Sequence, residues 1–242
     1  MQKPKLGMSK LIFIHGAGET GKVWAYQTNQ FPDSLAIDLP GHHDGEGEKT
    51  IEGYAAFVDD FVAQRKLSNV VLVGHSMGGA IVLKLALEKP SYLKGIVLVA
   101  TGARLRVTPL ILNGIKTDYA NVTKLIMDYA FSLETPDWLK ERSLTEMRRI
   151  RPEVALGDFE ACDRFDSMKD IQRIEIPSLI ICGSDDKLTP VKYSEYLNKN
   201  ISGSRLVVIQ GTGHMVMMEK PNHVNKAIEV FLEELCRSTD AG

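Results

Sequence analysis

The sequence predicts an α/β fold, with a mostly parallel central sheet flanked by helices and a helical insertion late in the chain. Three observations lead there. Short apolar runs recur, helical stretches alternate with them, and the alternation stops between about Leu105 and Arg173 before strands resume. Apolar runs without polar alternation suit strands covered by helices on both faces. A repeated strand–helix rhythm points to a doubly wound parallel sheet. The 242 residues, 44% hydrophobic and 25% charged, suffice for one well-buried core.

Leu11–Ile14, Leu35–Ile37, Val70–Val73, Ile96–Val99, Leu179–Cys182 and Leu206–Ile209 are the expected strands, each buried on both faces. Tyr54–Arg65 follows Gly53 and holds no Gly or Pro, so a helix is expected there. Ala80–Glu88 is a helix stopped by Pro90, and Asn222–Leu235 is an amphipathic C-terminal helix. Within the strand-free stretch, Val122, Leu125, Ile126 and Tyr129 share one helical face. Thr135-Pro136 reads as an N-cap and a first-turn proline opening Asp137–Ile150. Pro152 separates that helix from another around Val154–Phe165. Residues 105–173 are therefore expected as a helical insertion, rather than a tandem domain, in a core built from 1–104 and 174–242.

The net charge of −2 and pI near 6.3 produce no strong field for nucleic acid or an anionic membrane, so neither is an expected partner. Cys162, Cys182 and Cys236 are far apart, odd in number and without metal-ligand spacing, which favours reduced thiols. Lys3, Lys5 and Lys10 precede an apolar run too short for a signal peptide or membrane span. A cytoplasmic protein with no metal and no cofactor is expected.

The sharpest chemical signal is Gly74-His75-Ser76-Met77-Gly78, between an expected strand and an expected helix. G-x-S-x-G in that context describes a nucleophile elbow, where a strained serine needs glycines two positions to either side. Serine needs a base, and His214 follows the last strand. The base needs a carboxylate, and either Asp185 or Asp186 follows the preceding strand, giving the chain order Ser, Asp, His. An oxyanion needs preorganised N–H donors. Met77, next after the serine, and Ala17 in the glycine-rich loop after the first strand are the candidates. The same loop, Gly16-Ala17-Gly18-Glu19-Thr20-Gly21-Lys22, also fits G-x-x-x-x-G-K, with Asp38 as a possible magnesium carboxylate. Val23, however, stands where a phosphate loop needs Ser or Thr.

Taken together these residues resemble the α/β-hydrolase superfamily, and within it the cofactor-free serine esterases. His15-Gly16-Ala17-Gly18 resembles the family's oxyanion loop, Asp38-Leu39-Pro40-Gly41-His42 its D-x-P-G-H stretch, and Gly74–Gly79 its G-H-S-M-G-G elbow. Trp24 and Gln27 occupy positions where the family often carries Trp and Gln. Gly183-Ser184-Asp185-Asp186 with Pro190 is similar to G-x-x-D-x-x-x-P, which implies Asp186 as the carboxylate. Gly213-His214 with Glu219 and Pro221 is similar to G-H-x-x-x-x-E-x-P. The resemblance implies an α/β-hydrolase fold with residues 105–173 as its lid. Its initial β-hairpin has no counterpart before Leu11, and His43-Asp44-Gly45 replaces a common G-x-S.

A serine nucleophile argues against the branches that use aspartate at the elbow, and supports carboxylic ester, thioester or amide hydrolysis, or C–C cleavage. The expected substrate is a small molecule, an ester of a small to medium acyl chain, with an acyl-carrying thioester or C–C substrate as the alternative. A silent ligand-binding protein is the reading from another class. Trp24, Met127, Trp138 and Met215 are the expected substrate contacts; Arg148, Arg149 and Arg151 are expected on a solvated helix face, with contact to an anionic leaving group as the alternative.

Overall fold

The computed structural model describes residues 9–240, so Lys3 and Lys5 lie outside the described residues. Strand β1 (Lys10–Ile14) leads through a short 3-10 turn (Gly21–Trp24) and helix α1 (Ala25–Gln30) to β2 (Leu35–Ile37). Helix α2 (Ile51–Gln64), β3 (Val70–His75), α3 (Met77–Glu88) and β4 (Leu93–Val99) follow. Four helices then come without an intervening strand: α4 (Pro109–Thr117), α5 (Tyr119–Ala130), α6 (Asp137–Met147) and α7 (Pro152–Arg164). The chain finishes with β5 (Ser178–Gly183), α8 (Val191–Asn200), β6 (Arg205–Ile209), the single turn α9 (Val216–Glu219) and α10 (Pro221–Asp240).

The six strands form one parallel sheet in the order β2-β1-β3-β4-β5-β6. The direction of winding reverses between β1 and β3, and ligands of such sheets bind at the carboxyl ends beside that reversal. Register brings those ends level, with Ile14 opposite Gly74, His75 opposite Val99 and Gly183 opposite Ile209. The loop after β1 and the serine after β3 thus become neighbours through topology alone.

Each expected strand is present. β2 and β6, however, are only partly buried, because they are the sheet's edges among the described residues and each lacks a neighbour on one side. Helix α3 begins three residues before the expected Ala80, since Gly78 and Gly79 are helical. One apolar layer (Ile12, Leu72, Ile81, Leu197 and others) packs one sheet face against α2, α3 and α8. A second layer joins Phe13, Val71 and Ile181 on the other face to α10, and also to Val122, Ile126 and Phe131 of the four-helix insertion. Burying such side chains is worth about 1.5–3 kcal/mol each relative to exposure, so the insertion is held by the same core as the sheet.

The base of the insertion is closed by a bridge between Arg104 and Asp166, whose side chains also pair. Two local expectations change. The N-cap of α6 is Pro136 and no side chain caps it; the Thr135 hydroxyl is instead donated to Glu219 at 2.5 Å. On α5, Val122 and Ile126 are buried, whereas Leu125 is half-buried and Tyr129 is 50% exposed. Cys162 and Cys182 are buried and in no disulfide.

Candidate active site

Ser76 is the hinge between β3 and α3, at φ 51° and ψ −113°, a conformation that costs of order 1–3 kcal/mol and needs support on all sides. Its N–H is donated to the Val99 carbonyl at 2.9 Å, and Thr101 donates its hydroxyl to the Ser76 carbonyl at 2.7 Å. A Cβ at Gly74 would strike the backbone carbonyl of Gly78, and one at Gly78 would strike the Ile14 carbonyl. These are backbone contacts, which cannot turn aside, so the elbow requires glycine at both positions. The Ser76 side chain does not cap α3, and it borders a cavity.

His214 borders the same cavity from the loop after β6. Its Nδ1 lies 2.9 Å from Asp186 Oδ2, and that carboxylate also accepts the Thr189 hydroxyl at 2.8 Å and the N–H groups of Leu188 and Thr189, both at 2.9 Å. Asp185, by contrast, is exposed, and among the described residues it accepts only the neighbouring Ser184 hydroxyl. Burial opposes charge on Asp186, but the His214 charge and these donors hold its carboxyl below the usual range. Burial likewise opposes charge on His214, and Asp186 outweighs it, so the imidazole is raised above its ordinary value. With Nδ1–H donated to Asp186, Nε2 is the nitrogen left to accept a proton.

The insertion helps to hold this histidine. Its N–H is donated to the Ala130 carbonyl at 2.7 Å, and a Cβ at Gly213 would lie 2.7 Å from that same oxygen. Glu219 accepts the Gly213 N–H at 2.9 Å on one oxygen and the Ser132 N–H at 3.0 Å on the other. One carboxylate therefore ties the His214 loop to the end of α5.

On the β1 side, Ala17 borders the cavity. The flanking N–H groups turn inward, Gly16 to Glu19 Oε2 at 2.7 Å and Gly18 to Asp158 Oδ2 at 2.8 Å. Glu19 also takes His75 Nδ1 at 3.0 Å, while His75 Nε2 donates to the His214 carbonyl at 3.1 Å. Burial opposes charge on Glu19, but His75 and the Gly16 amide pull its carboxyl below the usual range. His15 is driven down to about 4, chiefly by burial. Neutral, it donates Nδ1–H to the Gly16 carbonyl at 2.8 Å and accepts the Leu39 N–H on Nε2 at 3.0 Å. Met77 opens α3, and first-turn N–H groups of a helix have no partner within it.

A phosphate cradle does not fit this loop. The N–H groups of Gly16, Gly18 and Gly21 are already donated to Glu19, Asp158 and Asp38, and three carboxylates there repel an anion. Among the described residues no group of three or more His, Cys, Asp or Glu is placed to hold a metal, and no helix is long and apolar enough to cross a membrane.

The cavity has a volume of about 360 Å³ and mostly apolar walls, including Leu105, Ile111, Ile126 and Phe159. Of the four expected substrate contacts, Met127 and Met215 line it and two do not. Trp24 is wholly buried against Phe13 and the His75 ring, because the turn that carries it packs under the sheet end. Trp138 is 56% exposed on α6, away from the cavity. Arg148, Arg149 and Arg151 are also elsewhere, bonded to the Ala120 carbonyl, Glu146 and the Gly45 carbonyl respectively. The cations at the cavity are Arg106 and Lys187, both exposed. Glu19, Thr189 and Asp158 were not singled out from sequence as site residues. Each acts through a fold contact, and only the position of Glu19 within the first glycine loop offered a signal.

The profile of the alpha/beta hydrolase family matches residues 11–225. The pimeloyl-[acyl-carrier protein] methyl ester esterase of Neisseria meningitidis serogroup A is 30% identical over 225 residues, covering 86% of this chain and 71% of that protein. A solved thermophilic esterase is 37% identical with a TM-score of 0.84, covering 93% of this chain and 90% of that one. An esterase from Exiguobacterium antarcticum, 20% identical with a TM-score of 0.87 over 93% of this chain and 92% of its own, shares the fold. With a parallel sheet of matching architecture, a serine elbow at its winding reversal and a family match over nearly the whole sequence, this chain belongs to the alpha/beta hydrolase family.

Proposed function

We propose that the protein hydrolyses carboxylic esters of small to medium acyl chains through an acyl-enzyme on Ser76. The observation that carries this reading is the convergence of Ser76 and the Asp186-bonded His214 on one apolar cavity. In the mechanism, His214 Nε2 takes the Ser76 proton as Oγ attacks the acyl carbon, and the N–H groups of Ala17 and Met77 hold the oxyanion. His214 then protonates the leaving alkoxide, and a water deprotonated by the same imidazole releases the acid. Asp186 keeps Nδ1 protonated and stabilises the imidazolium. Helices α4 to α7 act as the cap, supplying the wall that receives the acyl chain.

A fluorophosphonate probe tests the nucleophile. Wild type is expected to label and Ser76→Ala is not; equal labelling of the two overturns the mechanism. A chain-length series of nitrophenyl esters, run beside acyl thioesters, tests the substrate class.

A second reading has its own support. The Neisseria relative is named for an acyl group borne on a carrier protein, and Arg106 and Lys187 stand at this cavity where a phosphodiester would meet them. A kcat/KM for carrier-borne or coenzyme-borne acyl groups far above that of any simple ester would favour it.

A further inference from the structure

We propose that Asp158, on α7 of the insertion, is a positioning residue that sets the oxyanion loop from the far side. The proposal rests on the reading of Ser76 as nucleophile and of Ala17 N–H as an oxyanion donor.

Asp158 is fully buried, a placement that a carboxylate tolerates only when its oxygens are well bonded. Its Oδ2 accepts the Gly18 N–H and His42 Nε2, each at 2.8 Å, and its Oδ1 accepts the Tyr54 hydroxyl at 2.5 Å. Those donors come from three places: the loop after β1, the loop after β2 and helix α2. The carboxylate itself lies 140 residues beyond Gly18.

The surroundings of His42 favour its charged form. Its Nδ1 lies 3.2 Å from the Leu39 carbonyl and 3.1 Å from the Pro40 carbonyl, so both ring nitrogens face acceptors. Burial alone would lower this imidazole, and Asp158 raises it above the ordinary value. The neighbouring His15 ring, 4.5 Å away, is neutral and adds no second charge.

A buried ion pair by itself is poor evidence for a stabilising role, since apolar side chains often serve as well. The bond to Gly18 is different in kind, because it acts on backbone. Gly16 N–H and Gly18 N–H are pulled away by Glu19 and Asp158, and the residue between them, Ala17, is left at the cavity wall. Fixing the Gly18 N–H fixes the plane of the Ala17–Gly18 peptide. The adjoining Gly16–Ala17 peptide carries the Ala17 N–H, and its carbonyl is held by His15 Nδ1 at 2.8 Å, so the two bonds bracket Ala17. Gly18 has φ +66°, and a Cβ there would lie 2.9 Å from Met147 Cε, so the loop is clamped against α6 at the same point. The insertion thereby shapes the donor side of the site as well as roofing it.

The test compares Asp158→Ala with Tyr54→Phe, below the melting temperature of both. The first removes the acceptor of the Gly18 N–H; the second removes only the donor to the other oxygen. Asp158→Ala is expected to lower kcat for a nitrophenyl ester by about 10–100-fold, the scale of a slightly misplaced reacting geometry, with KM nearly unchanged. Its affinity for an alkyl boronic acid, which adds to the serine as a tetrahedral anion, should fall by the same factor. Tyr54→Phe should lower Tm while leaving kcat within about twofold. An Asp158→Ala enzyme with kcat within twofold of wild type overturns the proposal, as does a parallel loss of kcat and Tm in both variants. Should Asp158→Ala not fold, amide exchange in wild type decides. The Gly18 N–H should be as protected as the sheet, and exchange at the rate of an exposed loop overturns the clamp. Failure of the nucleophile reading looks different, since Ser76→Ala would then retain wild-type activity whatever Asp158 does.

Discussion

Under the proposed mechanism, His214 sets the pH range in which Ser76 gains a base. Burial works against its charged form and Asp186 works for it, with Asp186 prevailing. Since only the neutral imidazole accepts the serine proton, kcat/KM should rise with pH through a midpoint above 6.5, histidine's ordinary value. Asp186→Asn removes the opposing charge, so the midpoint should move below 6.5 while kcat falls by about 10⁴-fold. A wild-type midpoint at or below 6.5, read from a pH–rate profile, contradicts this arrangement. The sign for stability follows from the same shifts. His214 and His42 are both raised, so their contribution is complete below about pH 6.5 and is lost as pH climbs through the raised values. Asp186 is lowered, so its contribution is present above about pH 3.8 and is lost on further acidification. Thermal melts should therefore decline toward alkaline pH, and His42→Gln should flatten that decline. Of these groups, sequence order singled out Ser76 and His214; Asp185 and Asp186 were equivalent on chemistry, and family spacing pointed to Asp186. The bond to Nδ1 separates them, because the turn after β5 aims one aspartate at His214 and the other at solvent.

At the scale of the element, the elbow depends on backbone passing backbone. Gly74→Ala and Gly78→Ala each place a methyl into a carbonyl that belongs to a neighbouring strand or turn. Each should cost at least about 1–3 kcal/mol, a fall in Tm of roughly 2–12 °C by thermal melt in a chain of this size. An unchanged Tm in either variant would mean that the turn relaxes freely. Strands were the most legible elements, because burial on both faces forces continuous apolar runs. Their ends were less so: β3 continues through Gly74 and His75, which carry no strand signal of their own but pair with Leu98 and Val99. Helix α4 was not marked out, since Gly114 interrupts its pattern. That glycine is a packing requirement, for a Cβ there would meet Val122 of α5 at 2.7 Å. Thr135 misled for a similar reason, its hydroxyl finding Glu219 rather than the start of α6.

Across the whole molecule, the insertion and the sheet share one core and one site. Ile115, Val122, Phe131, Leu139 and Met147 pack in the same apolar layer as Phe13 and Ile181. Ala130, Ser132 and Asp158 bond directly to the loops that carry His214 and Ala17. The two tryptophans report on the two parts, Trp24 from beneath the sheet end and Trp138 from α6. Trp24→Phe and Trp138→Phe, each followed by the fluorescence of the remaining tryptophan, should give coincident denaturant midpoints once corrected for each variant's stability by circular dichroism. Separate midpoints would show that the insertion unfolds by itself.

The sequence by itself determined the parallel α/β sheet, the serine elbow and the order of the candidate site residues, because each leaves a local mark: an apolar run, a glycine spacing, a position after a strand. Family spacing pointed to Asp186, and the fold bonds that aspartate to His214. Tertiary structure alone decided which methionines and cations face the cavity, and that Trp24 is packing rather than a substrate contact. It also placed Asp158 against the glycine-rich loop after β1. These outcomes depend on groups far apart in the chain meeting in a water-poor interior, where each buried donor and charge must find a partner and no single stretch of sequence records which.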